Sequence, residues 1–255
     1  MSNKKNILLF DVDGTICESG KKINDKIAAI INYLSYTYTV GIVGGGSFNK
    51  ILSQLDNKIV AQHIFSECGS VYNKLINYQY KEIYKNNLRE IPEYEKINKL
   101  IKVALKYISE MEYLISGHFI DLRNGLIYIS LVGMSATEEE RNNYIISDNI
   151  YSHRSKLLVL LKEEAIKLEI ADIIDIVYGG NVGIAIYPKK WSKVQVLKTI
   201  TKTEYDNIYF FGDKYDVDGN DREIISHPDV IGFKINKLDD TFNYLNTLIF
   251  RDSSN

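Results

Sequence analysis

Apolar residues fall along this chain in two rhythms, and the change between them divides it. Residues 7–10, Ile-Leu-Leu-Phe, are a short unbroken apolar run, the pattern of a strand covered on both faces of a parallel sheet. Residues 24–36 follow a helical period, with Asn24 suited to the N-cap and Ile27, Ile30, Ile31 and Leu34 on one face. A second buried strand is predicted over 37–43, a helix over 48–55 and a short strand over 63–65. The middle of the chain differs. A long helical pattern over 91–110 precedes strand-like runs at 117–122 and 126–131, which flank Arg123-Asn124-Gly125. Asn-Gly between such runs is a hairpin signal. A helix begins within 137–144, with Thr137 as N-cap and Glu140 at the capping-box position, and another covers 155–168. Strands at 173–178 and 182–187 meet at Gly179-Gly180. After Pro188 the alternation resumes, with a helix from about Lys193 and an apolar strand over 208–211.

This pattern predicts an α/β protein. Residues 1–82 and 188–255 form a discontinuous Rossmann-like core with a parallel sheet, and residues 83–187 form an inserted α+β module. Composition narrows the class further. A hydrophobic content of 45%, a net charge of -2 and a pI near 6.1 give no basic surface for nucleic acid or membrane. Cys17 and Cys68 read as free thiols in a reducing compartment. No apolar run reaches the roughly 18 residues of a membrane span, and the basic N-terminus leads into a run too short for a signal peptide. A soluble, cytoplasmic protein is expected.

The chemistry concentrates where strands end. Phe10-Asp11-Val12-Asp13-Gly14-Thr15 places two carboxylates at the carboxyl end of the first strand, where open α/β sheets bind ligands. Neighbouring carboxylates repel, and a hard cation such as Mg²⁺ with a phosphate relieves that repulsion. Gly14 permits a sharp turn, and Thr15 offers a hydroxyl and an N–H to a phosphate oxygen. A second acidic run follows the strand at 208–211: Gly212-Asp213-Lys214, then Asp216, Asp218, Gly219, Asn220 and Asp221. Asp213 is the expected metal ligand beside Asp11 and Asp13, with Asp221 orienting the ion or its waters. Gly44-Gly45-Gly46-Ser47 is either a backbone cradle for phosphate, through Gly45 and Ser47, or a flexible turn.

The first segment resembles the first motif of the haloacid dehalogenase (HAD) superfamily of phosphotransferases, and Asp213 to Asp221 resembles its fourth. The resemblance implies a HAD-type core with a cap domain. It makes Asp11 the nucleophile that becomes an aspartyl-phosphate, Asp13 the general acid/base and Lys193 the charge-compensating lysine. Residues 10–15, 41–50, 117–130 and 208–223, with Glu138-Glu139-Glu140-Arg141, Pro188, Trp191 and Phe65-Ser66-Glu67, resemble the eukaryotic-type phosphomannomutases in family order. That family interconverts mannose 6-phosphate and mannose 1-phosphate for GDP-mannose synthesis. It uses Mg²⁺ and a hexose 1,6-bisphosphate activator, works in a cleft between cap and core, and usually dimerises through the cap. Arg123, Asn124 and Arg141 match residues that hold the distal phosphate and sugar, a task suited to bidentate guanidinium groups.

Departures from the family cluster at the sugar end. Met134 stands where the family has a cap arginine, Gly20 where it has a core arginine (with Lys21 and Lys22 adjacent), and Gly183-Ile184-Ala185 where it has Ser-Phe-Asp. Gly46 takes the place of the second-motif serine, with Ser47 beside it, and His227 that of an aspartate in a secondary cation loop. A Mg²⁺-dependent phosphatase of a sugar phosphate or another small ester is the alternative enzyme. A non-catalytic binding member of the family is the alternative of another class.

Overall fold

The computed structural model describes residues 5–217 and 219–252; Asp218, counted above in the second acidic run, and residues 1–4 of the basic N-terminus lie outside the described residues. The chain divides into two compact units, Met1–Asn86 with Trp191–Asn255, and Asn87–Lys190.

The first unit contains β1 (Asn6–Phe10), α1 (Asp25–Leu34), β2 (Tyr38–Val43), α2 (Phe48–Leu55), β3 (His63–Ser66), β4 (Val71–Ile76) and β5 (Gln79–Lys85). The second contains α3 (Tyr94–Glu110), β6 (Ile120–Leu122), β7 (Ile127–Ser130), α4 (Glu138–Tyr151), α5 (His153–Lys167), β8 (Ile174–Gly179) and β9 (Gly183–Pro188). The chain returns to the first unit with β10 (Asn207–Gly212), α6 (Arg222–Ile225), β11 (Val230–Lys234) and α7 (Leu238–Asp252).

In the first unit the sheet order is β11-β10-β1-β2-β3-β4-β5. It is parallel from β11 to β3, and β4 and β5 add an antiparallel hairpin. Both faces of β1 are buried: Leu8 and Phe10 join one apolar cluster with α1, while Ile7 and Leu9 join another with Val196, Ile200 and Ile224. Successive strands run outward from β1 in one direction to β3, and the later β10 and β11 lie on its other side. Strand order therefore reverses between β1 and β10, the place where such sheets form a crevice.

The caps predicted at Asn24 and Thr137 form: Asn24 accepts from the N–H groups of Lys26 and Ile27, and Thr137 and Glu140 complete a capping box at α4. Ser47, expected in a phosphate cradle or a flexible turn, caps α2. Three expectations change. The stretch after Ser192 is a 3₁₀ helix, Lys193–Lys198, rather than an α-helix. The helix predicted from 91 starts at Tyr94, after a 3₁₀ turn over Leu88–Glu90. Residues 83–85, assigned above to the inserted module, belong to β5, whose hydrogen bonds to β4 keep it in the core sheet. The second unit has a four-stranded antiparallel sheet, β6-β7-β9-β8, with α5 packed on β8 and β9 and α3 on α5.

Away from the strand ends, buried His63 lies between the hydroxyls of Tyr72, at 2.8 Å from Nδ1, and Tyr205, at 3.2 Å from Nε2. Burial, helped by the charge of Lys74, pushes its pKa down to about 4. The folded protein therefore resists a proton that the unfolded chain accepts below about pH 6.5. His63 should stabilise the fold fully above that pH and lose about 2 kcal/mol of its contribution by pH 5. The stability gap between wild type and His63→Gln, measured by denaturant titration at pH 7 and pH 5, should narrow by that amount; a constant gap would refute it.

Candidate active site

Register carries the site. Phe10 on β1 pairs with Phe211 on β10, and the Asp11 N–H donates to the Phe211 carbonyl at 2.9 Å. The two strands therefore deliver Asp11 and Asp213 to the same end of the crevice. Gly14 makes the turn possible: its φ is +84°, and a Cβ there would lie 2.4 Å from Asp213 Oδ2. Gly212 similarly leaves room for Asp221, whose Oδ2 a Cβ would approach to 2.7 Å.

Asp11, Asp213 and Asp221 each bring a carboxylate oxygen within 4.8 Å of the others. Lys193 is fully buried among them, with Nζ 2.6 Å from Asp11 Oδ1 and 2.5 Å from Asp221 Oδ1. Burial alone would lower the Lys193 pKa, but the Asp11 and Asp221 carboxylates outweigh it and hold the ammonium well above its ordinary pKa. Burial raises Asp11 and Asp221 despite that ammonium. Asp213 is pushed up to about 6 by burial and then by the charge of Asp11. The site is a set of carboxylates short of positive charge.

Asp221 spends both oxygens within the protein, Oδ1 on Lys193 and Oδ2 on the Lys214 N–H at 3.0 Å. It holds Lys193 in place from behind. Asp213 Oδ2 accepts from Lys214 Nζ at 2.6 Å, while its Oδ1 is buried without a hydrogen-bond partner among the described residues. That orphaned oxygen, beside the raised carboxyl of Asp11, fits a hard divalent cation with Asp11 and Asp213 as side-chain ligands. Asp13 is not in this trio: its Oδ1 accepts from the Gly20 N–H and Gln54 Nε2, and its Oδ2 from Lys50 Nζ.

Thr15 is buried with a hydroxyl that has no hydrogen-bond partner among the described residues, and its N–H closes the turn onto the Val12 carbonyl. Gly45 faces the site's rim, since a Cβ there would lie 3.9 Å from Asn220 Nδ2 and 3.8 Å from Cys68 Sγ. Ser47 serves as the N-cap of α2. Lys21 and Lys22, the cations nearest Gly20, pair with Glu18 and Asp56. Both cysteines are buried free thiols. Residues absent from the expectations are Lys50 and Gln54, which hold Asp13, and Gln195, which ties Trp191 and Cys68 carbonyls beside Lys193. A glutamine among the apolar positions of a short helix was the available signal for Gln54.

In the second unit, Arg123 is half-buried, pairs with Asp121 at 2.6 Å and lies over the Tyr128 ring at 5.3 Å. Asn124 accepts the Leu88 N–H through its carbonyl, and Arg141 occupies the first turn of α4. Met134 is 40% exposed and lines a depression of about 250 Å³ with His118, Ile120, Asp121 and Ser135. Tyr128 covers the opposite feature of the sheet: Cβ atoms on Gly179 and Gly183 would come within 2.8 and 2.6 Å of its ring.

A parallel sheet with carboxylates at adjoining strand ends and a buried lysine between them defines the HAD class of α/β protein. Solved structures agree on the fold. IMP-nucleotidase from Plasmodium falciparum superposes with a TM-score of 0.67 at 15% identity, over 96% of this chain and 68% of that one. A trehalose-6-phosphate phosphatase related protein gives 0.59 at 15% identity, over 97% and 99%. Residues 27–251 match the family model described as eukaryotic phosphomannomutase. Phosphomannomutase 2 of Dictyostelium discoideum is 30% identical over 98% of both chains. Phosphomannomutase of Arabidopsis thaliana is 33% identical over 92% of this chain and 93% of its own. That of Saccharomyces cerevisiae is 32% identical over 95% and 93%. The chain belongs to the eukaryotic phosphomannomutase family.

Removing Lys193 leaves two buried carboxylates facing each other. Lys193→Met should cost about 3–5 kcal/mol at pH 7, because a broken buried pair leaves uncompensated charge. Carboxyls whose folded pKa is raised regain stability as pH falls through that value. The deficit against wild type should therefore shrink between pH 7 and pH 5 in thermal melts, and a pH-independent deficit would contradict this electrostatic account.

Proposed function

We propose that this protein is a phosphomannomutase, interconverting mannose 6-phosphate and mannose 1-phosphate through an aspartyl-phosphate on Asp11. The observation that carries the reading is the buried Lys193 bridging Asp11 and Asp221 beside the unmatched oxygen of Asp213. Family membership over residues 27–251 supports the choice of substrate.

An Asp11 oxygen attacks phosphorus and the bond to the sugar oxygen breaks, while Asp13 gives that oxygen a proton. In the second half the other sugar hydroxyl attacks the phosphorus, and its proton passes to Asp13. Lys193, held by Asp221, offsets the negative charge that gathers on Asp11 and the phosphoryl oxygens. Mg²⁺, held by Asp11 and Asp213 with the Asp13 backbone, would supply further charge neutralisation. Thr15, Gly45 and Ser47 would meet the transferring phosphate. Arg123, Asn124 and Arg141 would take the distal phosphate, with a hexose 1,6-bisphosphate as activator. The assembly in this reading is a homodimer through the 83–187 module, in the cytoplasm, with a role in GDP-mannose biosynthesis. No helix among the described residues is long and apolar enough to cross a membrane.

A second reading, Mg²⁺-dependent hydrolysis of a sugar phosphate or other small ester, is favoured by one set of observations. Met134, Gly183 and Ala185 supply no charge, Tyr128 fills the space above Gly183, and Lys21 and Lys22 are engaged elsewhere.

Incubation with mannose 1-phosphate, Mg²⁺ and a hexose 1,6-bisphosphate separates the two when mannose 6-phosphate and free phosphate are measured together. The mutase should form mannose 6-phosphate in excess of free phosphate; the reverse ratio selects hydrolysis. Asp11→Asn should abolish both products while melting at or above the wild-type temperature, because carboxylate repulsion is relieved. Residual turnover near wild type would rule out the covalent route.

Chelation should remove activity and added Mg²⁺ should restore it. Asp213→Ala should raise the Mg²⁺ concentration for half-maximal activity by at least about tenfold, a loss of about 1.4 kcal/mol in binding. An unchanged Mg²⁺ titration would remove Asp213 from the metal site.

A further inference from the structure

Asp13 is held by donors that have no part in the chemistry at Asp11. Gln54 Nε2 and the Gly20 N–H take its Oδ1 at 2.8 and 2.7 Å, and Lys50 Nζ takes its Oδ2 at 3.1 Å. Lys50 and Gln54 are four residues apart on α2, so they share one helix face. Gln54 is buried, and its amide also contacts Cys17 Sγ and the Lys21 carbonyl, which fixes its orientation. The Lys50 stem crosses Gly46, where a Cβ would meet Cδ at 3.1 Å. Both Asp13 oxygens are thus engaged by α2 and by the Gly20 N–H, and its carboxylate is not one of the Asp11–Asp213–Asp221 group.

We propose that Lys50 and Gln54 are positioning residues that form a latch for Asp13, holding it off the phosphoryl centre between the two half-reactions. The inference rests on the aspartyl-phosphate reading above. After the first half-reaction Asp13 has given its proton to the departing sugar oxygen and is a carboxylate. The Asp11–phosphorus bond can then be broken by either of two nucleophiles. If a sugar hydroxyl attacks, its proton goes to Asp13 and the phosphate is transferred. If water attacks, its proton goes to the same carboxylate, and inorganic phosphate leaves. A carboxylate seated on Lys50, Gln54 and the Gly20 N–H is out of reach of that water. The latch thus sets the ratio of transfer to hydrolysis, the property that separates a mutase from a phosphatase on one core.

The test loads the full-length enzyme from radiolabelled hexose 1,6-bisphosphate with Mg²⁺ and follows the labelled phosphoenzyme after the donor is removed. Without acceptor, Lys50→Met and Gln54→Ala should each lose the label roughly tenfold faster than wild type, a small part of what general-base catalysis can supply. With mannose 1-phosphate present, both should release more free phosphate per bisphosphate formed. Lys50→Arg keeps a cationic donor and should restore the wild-type ratio. Lys50 is exposed, so its variants retain the fold even where Gln54→Ala does not, and melting temperatures check this. Unchanged decay in a folded Lys50→Met overturns the latch alone. Failure of wild type to acquire label overturns the phosphotransferase reading and the latch with it.

Discussion

The rest of the site depends on one buried ammonium. Lys193 reaches two carboxylates that are almost dry, and their charge has to be compensated there by its ammonium. The demand for that pair explains much of the surrounding architecture. Parallel pairing of β1 with β10 brings Asp11 beside the loop after β10, and Gly14 and Gly212 let the chain close around Asp213 and Asp221. The 3₁₀ turn that carries Lys193 begins at Ser192, whose hydroxyl donates to Glu223, and Gln195 ties the same turn to the Trp191 and Cys68 carbonyls. A lysine pinned in this way loses less conformational freedom when a phosphoryl group arrives.

Legibility followed the strength of local pattern. The continuous apolar runs at β1 and β10 had one sensible fold, and the Asn24 and Thr137 caps occupy the positions where side chains meet unpaired helix N–H groups. The β4–β5 hairpin was not visible. Its turn, Asn77-Tyr78, takes positive φ at both residues without a glycine, and β5 is an edge strand of exposed lysine and glutamate with half-buried tyrosines. The first module boundary shifted from 83 to Asn87 for that reason, while the second moved from 187 to Lys190. Lys193 sits on a tighter turn than expected, one that its own contacts with Asp11 and Asp221 and those of Gln195 tie down.

The carboxylates at the first and fourth motifs were readable because strand ends concentrate function in this class of sheet. Their division of labour was not. Spacing alone cannot tell that Asp221 faces Lys193 and Lys214, that Asp213 keeps an oxygen unpaired, or that Asp13 turns toward α2. Most of those differences arise from partners remote in sequence, 28 positions apart for Asp221 and Lys193 and 37 for Asp13 and Lys50.

Charge at the site connects these pieces. Asp11, Asp213 and Asp221 bring three negative charges, and Lys193 and Lys214 return two positive ones. The pocket is then negative by one charge, which repels the phosphate it would process. A divalent cation bound at Asp11 and the open oxygen of Asp213 reverses the sign and leaves one positive charge. The raised carboxyl of Asp213 reports the same imbalance from the protein's side, since protonation is the other way to relieve it. A proton and a divalent cation would therefore compete for the same oxygens. Lys50 stands outside this balance because its charge is committed to Asp13. In the proposed mechanism, this separation would let Asp11 meet a phosphoryl group while Asp13 keeps its own partners.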